Sequence, residues 1–239
     1  MTIKTQTVQY SHAGVNFEGF MAWDDALAGP LPAVAVAHTW AGRGQLECDK
    51  AVQLARLGYV GFALDAYGDG RVGSGPEENA ALMNPLLENR ALLQERLGSG
   101  IAALQAQPQV EAGKVAAVGF CFGGLAVLDL ARVGAEVLGV ISFHGLLKAP
   151  DNTAGNSIAA KVLVLHGYDD PMVPPQDVLD LATEMTSAGA DWQLHAYGRT
   201  VHAFTNPAAN NTAMGTVYNP TADRRSWQAA RNFLAELFG

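Results

Sequence analysis

The hexapeptide GFCFGG, Gly119 to Gly124, constrains this chain most: a cysteine held between glycines, directly after the apolar run Val115 to Val118 and directly before Leu125 to Leu130. A backbone that leaves a strand and reverses at once into a helix has no room for side chains beside the turn, whereas the residue at its apex projects clear of the sheet. Cys121 holds that apex. The amides that open the following helix lack acceptors inside it, and they favour a thiolate and any oxyanion formed nearby. The spacing predicts a nucleophile elbow. The alternative is a packing cysteine in a tight strand-to-helix corner, where buried cysteines are common.

Two later segments favour chemistry over packing. Val162 to Leu165 form an apolar run that ends in HGYDDPMVP, placing Asp169 and Asp170 just beyond a predicted strand. Trp192 to Tyr197 alternate and lead into GRTVHAF, which contains His202. Nucleophile, acid and histidine, each just past a strand end, follow the chain order of an α/β-hydrolase triad.

In the order AVAVAHTWAGRG, LARLGYVGFALDAYGDG, GFCFGG, HGYDDPMVP and VHAF, the chain resembles the dienelactone hydrolase family of α/β-hydrolases, whose nucleophile is cysteine in place of serine. The resemblance covers nearly the whole sequence. It implies Cys121 as nucleophile, His202 as base and Asp170 as the acid that orients it. Asp169 is the less suitable acid, because the family's aspartate immediately precedes the turn that begins here at Pro171. It also implies an esterase reaction through a thioacyl-enzyme. The amide of Phe122 in the elbow and that of Trp40, in the loop after an early strand, are the expected oxyanion donors.

Two departures bear on the substrate. Dienelactone-hydrolysing members carry a glutamate after the histidine that ends this early strand; the present chain reads His38, Thr39, Trp40. Four residues beyond the catalytic histidine those members place a carboxylate-binding arginine, and here the residue is Asn206. Both changes point to uncharged esters or lactones. Loss of the glutamate predicts a thiolate and imidazolium pair at rest, with iodoacetamide alkylation of Cys121 insensitive to pH between about 6 and 8. The same groups are suited to an activated phosphotriester, through a thiophosphoryl-enzyme. Glu47 reads as a surface residue suited to the dipole of the helix it opens, or as a substitute for the missing carboxylate. The competing functions are a thioesterase or amidase and a non-catalytic small-molecule receptor on the same fold.

Composition narrows the remaining classes. The chain has 239 residues, 49% of them hydrophobic, enough for one α/β domain over 1–239 with a large core. A net charge of −8 offers no basic stripe for nucleic acid. The polar start MTIKTQTVQYSHAG lacks the apolar segment of a secretory signal, and no run is long enough to span a bilayer. The two cysteines, Cys48 and Cys121, suit a reducing cytoplasm. No metal-ligand spacing appears, so neither metal nor cofactor is expected, and oligomeric state is open. Candidate pocket residues are Thr39, Phe120, Phe143, His144, Phe204 and Asn206. His38, His144 and His166 end predicted strands, where a histidine either lines a site or hydrogen-bonds a neighbouring loop.

The expected architecture is a mostly parallel sheet with helices on both faces, preceded by an antiparallel hairpin of Thr5 to Tyr10 and Val15 to Trp23. Parallel strands are predicted at Ala33 to Ala37, Val60 to Leu64, Val115 to Val118, Val137 to Ser142, Val162 to Leu165 and Trp192 to Tyr197. Helices are predicted at Leu46 to Leu57, Leu86 to Ala106 with Pro85 as its start, Gly123 to Arg132, Pro175 to Ser187 and Asp223 to Leu237. The glycine-rich stretch from Gly68 to Pro76 reads as a mobile rim or a plain connection.

Overall fold

The structure, a computed structural model, describes residues 1–239. Its first strands, β1 (Ile3–His12) and β2 (Val15–Asp24), form an antiparallel hairpin closed by Ala13 and Gly14, both at positive φ (49° and 79°). A two-residue turn of this hand matches the twist of the strands it joins. The remaining sheet strands are β3 (Leu31–Ala37), β4 (Val60–Ala63), β5 (Val110–Phe120), β6 (Gly139–Phe143), β7 (Lys161–Gly167) and β8 (Trp192–Tyr197). They lie in the order β1-β2-β4-β3-β5-β6-β7-β8, parallel from β4 to β8.

The order reverses at β3, with β4 on one side and β5 on the other. Loops leaving the carboxyl ends of β3 and β5 therefore face each other across a crevice, the usual ligand position in an open parallel sheet. Pro32, which has no amide hydrogen, sits where the β3–β5 register shifts between Leu31 and Ala33.

Alternation along the strands divides the core. Val34, Val36, Val118, Ile141, Leu163 and Leu165 pack with Leu54 of α1 (Gln45–Ala55) and with Phe233 and Leu234 of α6 (Pro220–Phe238). Ala35, Ala117, Val140, Val162 and Val164 face the opposite layer. That layer consists of α3 (Arg90–Gln105), α4 (Phe122–Arg132) and α5 (Pro175–Ser187). Every residue of α4 is buried, so the helix that carries the elbow is fixed on all sides. No helix is long and apolar enough to cross a membrane.

The expected single helix from Leu86 to Ala106 is corrected. Pro76 opens α2 (Pro76–Glu88), Pro85 lies inside it, and the chain breaks at Asn89, whose side chain accepts from the Leu92 amide at 3.1 Å and caps α3. Asn89 competes with the helix for backbone hydrogen bonds, while the apolar spacing of Leu86, Leu93 and Leu97 passes across the break unchanged. A short hairpin, β9 (Asn210–Asn211) and β10 (Thr216–Val217), was not expected from the sequence. The stretch from Gly68 to Pro76 is a pinned connection: Gly73 N–H donates to Ala41 O at 2.8 Å, and Gly42 bridges Val72.

Candidate active site

Cys121 stands between β5 and α4 with φ 56° and ψ −116°. L-residues rarely adopt such angles, which cost about 1–3 kcal/mol and persist only where the surroundings enforce them. Here the glycines do. A Cβ on Gly119 would overlap the Gly123 carbonyl oxygen, and one on Gly123 would overlap that of Ala37. The Cys121 amide is shared between Phe143 O at 3.0 Å and His144 Nδ1 at 3.1 Å.

Asp170 lies in the turn after β7, where its Oδ1 accepts from the Met172 amide at 2.9 Å. Its Oδ2 accepts from His202 Nδ1 at 2.7 Å, and both residues are buried. Asp169, by contrast, is exposed. With Nδ1 carrying the proton, Nε2 of His202 faces inward, buried and without a hydrogen-bond partner. Burial works against a charged His202 ring, yet the opposing Cys121 and Asp170 charges and the Asp170 hydrogen bond lift its pKa to about 10. The structure thus brings Cys121, His202 and Asp170 together at the carboxyl ends of the strands.

The loop after β3 is organised by groups remote in sequence. Glu47 is buried, and its Oε1 accepts from the Thr39 amide at 3.1 Å while Oε2 accepts from Gly44 N at 3.0 Å. The surface reading of Glu47 is therefore corrected. Gly44 is the N-cap of α1 and Glu47 its third residue, the spacing of a capping box, and that spacing was the available signal. The Tyr67 hydroxyl donates to Trp40 O at 2.9 Å, a contact that nothing in the sequence announced. The Thr39 amide is thereby occupied, whereas the Trp40 amide makes no hydrogen bond within the loop. Phe122 opens α4, where its amide has no helical acceptor.

Several expected pocket residues are placed elsewhere. Phe120 and Phe143 stack on one another at 4.7 Å in the core beneath α6, each about 1% exposed, so their reading as pocket walls is corrected. They occupy the face of the sheet that α6 must cover. Phe204 is fully buried, edge-on to His144 at 5.1 Å and to Tyr197 at 5.7 Å. The Oδ1 of Asn206 accepts from the Ala208 amide at 3.0 Å, closing a turn within its own loop.

The other histidines that end strands, His38, His144 and His166, are buried as well. His38 Nδ1 donates to Thr39 O at 2.6 Å and its Nε2 accepts from Ala66 N at 3.2 Å, tying the loops after β3 and β4 together. His144 is buried against His202, 5.2 Å between ring centres, and its Nε2 donates to Thr205 Oγ1 at 2.8 Å. Burial and the neighbouring His202 charge push the His144 pKa down and keep the ring neutral. His166 is buried with Nδ1 unpartnered, and burial lowers its pKa also.

A profile of the dienelactone hydrolase family matches residues 17–238. The chain belongs to the dienelactone hydrolase family. Among its relatives is a putative carboxymethylenebutenolidase of Aquifex aeolicus, 30% identical over 236 residues, which cover 95% of this chain and 96% of that protein. A probable 2-oxo-3-(5-oxofuran-2-ylidene)propanoate lactonase of Bradyrhizobium is 24% identical over 246 residues, 95% of this chain and 93% of its own. Among solved structures, a dienelactone hydrolase-like promiscuous phosphotriesterase from metagenomic libraries superposes with a TM-score of 0.95 at 36% identity, covering 100% of both chains. This member of the dienelactone hydrolase family is accordingly a hydrolase on the α/β-hydrolase fold, acting on small molecules.

Proposed function

We propose that the enzyme hydrolyses small, uncharged carboxylic esters or lactones through Cys121, His202 and Asp170. One observation carries the reading: a cysteine at positive φ on an elbow, at the same sheet edge as a buried His202–Asp170 pair whose free Nε2 has no other partner. His202, kept protonated by its surroundings, balances a Cys121 thiolate. The sulfur attacks the acyl carbon, and the carbonyl electrons move onto oxygen, where the Trp40 and Phe122 amides receive the charge. As the tetrahedral species collapses, the carbon–oxygen bond breaks and the leaving alkoxide takes the proton from His202 Nε2. A water molecule then gives a proton to Nε2 as its oxygen attacks the thioester. The carbon–sulfur bond breaks, releasing the acid and restoring the thiolate.

Absence of a cationic side chain at Asn206 supports a neutral substrate, as does a Thr39–Trp40 loop with no carboxylate of its own. Free Cys48 and Cys121 suit a reducing compartment such as the cytoplasm. The test is p-nitrophenyl acetate turnover by the wild type and by Cys121→Ala, followed beyond one equivalent of product. Loss of turnover in the variant is the expected outcome; turnover at the wild-type rate by Cys121→Ala would overturn the assignment. A second reading, phosphotriester hydrolysis through a thiophosphoryl-enzyme, is favoured by the metagenomic phosphotriesterase of TM-score 0.95. Paraoxon distinguishes it: sustained release of p-nitrophenol is expected, and inactivation at one equivalent excludes it.

A further inference from the structure

His144 is a buried ring that bonds the backbone of Cys121 and has no part in the reaction just described. We propose that it is a positioning residue, a rigid strut between the nucleophile's amide and the loop that carries His202; this rests on Cys121 being the nucleophile. The ring touches both ends. Its Nδ1 accepts from the Cys121 amide at 3.1 Å, and its Nε2 donates to Thr205 Oγ1 at 2.8 Å, three residues beyond His202 in the same loop. Only one tautomer allows both bonds: Nδ1 bare and Nε2 protonated.

The strut is itself immobilised. His144 has φ 38°, its own amide donates to Leu165 O at 2.9 Å, and its ring is held edge-on by Phe204 at 5.1 Å. The ring and Thr205 are each nearly inaccessible, at 2% and 4% exposure, so no water competes for either bond. The elbow angle of Cys121 is costly, and Phe143 O alone shares its amide with His144. A ring of fixed length therefore sets where the Cys121 backbone stands relative to the His202 loop. The same bond withdraws the Cys121 amide from the oxyanion, leaving that work to Phe122 and Trp40.

Two pairs of variants test the strut, with esterase kcat and KM as readouts. His144→Asn retains an acceptor in the place of Nδ1, whereas His144→Gln retains a donor near the place of Nε2 and fills more of the ring's volume. Bridging to the elbow predicts that Asn keeps more kcat than Gln, with KM little changed in both. A volume-filling role predicts the reverse ranking. Complete loss of the strut in His144→Phe is expected to cost about 10²-fold in kcat, the scale of a small misplacement of reacting groups.

Thr205 reports on the other end without disturbing the ring's cavity. Thr205→Ser keeps the acceptor and is expected to retain activity, while Thr205→Val keeps the shape and is expected to lose about fivefold in kcat, one hydrogen bond's worth. Val at or above Ser, or Gln at or above Asn, would overturn the proposal. Wild-type turnover by Cys121→Ala would instead remove the nucleophile assignment, a separate failure.

Discussion

His202 is subject to opposing influences: burial disfavours its charge, and the Cys121 and Asp170 charges together with the Asp170 hydrogen bond overcome that to raise its pKa to about 10. A folded-state value above the ordinary histidine value of about 6.5 means that the protonated form stabilises the fold. That contribution is complete below about pH 6.5 and is lost as pH rises toward 10. The urea midpoint of the wild type is therefore expected to fall between pH 7 and 10 more steeply than that of His202→Gln; parallel slopes would contradict the ion pair. Cys121, Asp170 and His202 were legible in the sequence because each sits just past a strand end inside a local motif. The partners that hold them were not. His144 and Thr205 lie 61 residues apart, and no local pattern records that their side chains meet.

Elements show the same division. Boundaries of α5 and β8 coincide with the expected Pro175 to Ser187 and Trp192 to Tyr197, since each carries one uninterrupted period between turn residues. The α2–α3 boundary was illegible because a cap at Asn89 interrupts the backbone without interrupting the apolar stripe. Asn89→Ala is expected to destabilise the protein by about 1 kcal/mol, as loss of an N-cap does. A thermal scan measures it, and an unchanged midpoint would mean that the break is held by packing alone. The loop after β3 is likewise shaped from outside, by Glu47 on α1 and Tyr67 beyond β4. Its own residues, Thr39 to Gly44, contain no hint of which remote side chains hold it.

Across the whole molecule, a chain of charge centred on the buried Asp129 and Arg132 ties the elbow helix to the helices that flank it. Arg132 on α4 is 1% exposed and donates from Nε and Nη2 to Glu184 of α5 at 2.8 and 2.7 Å, while Arg90 of α3 reaches Asp129 of α4 at 2.6 Å. Arg132→Met leaves Glu184 and the Leu147 carbonyl without their donor, and a loss of about 1–3 kcal/mol is expected in urea unfolding, the cost of stranding wholly or partly buried hydrogen-bond partners. Esterase kcat of the folded enzyme should be unchanged, since Arg132 is the last residue of α4 and Cys121 stands at its other end; a parallel loss of kcat would show that α4 aims the elbow through it. The sequence by itself determined the α/β class, the order of the parallel strands' apolar runs and the candidates proposed as nucleophile, acid and base, because periodicity and turn chemistry act over a few residues. Tertiary structure alone decided which partners hold the loop after β3, which aromatic side chains became core and which buried histidine touches Cys121, because those outcomes depend on contacts between segments that only the folded sheet brings together.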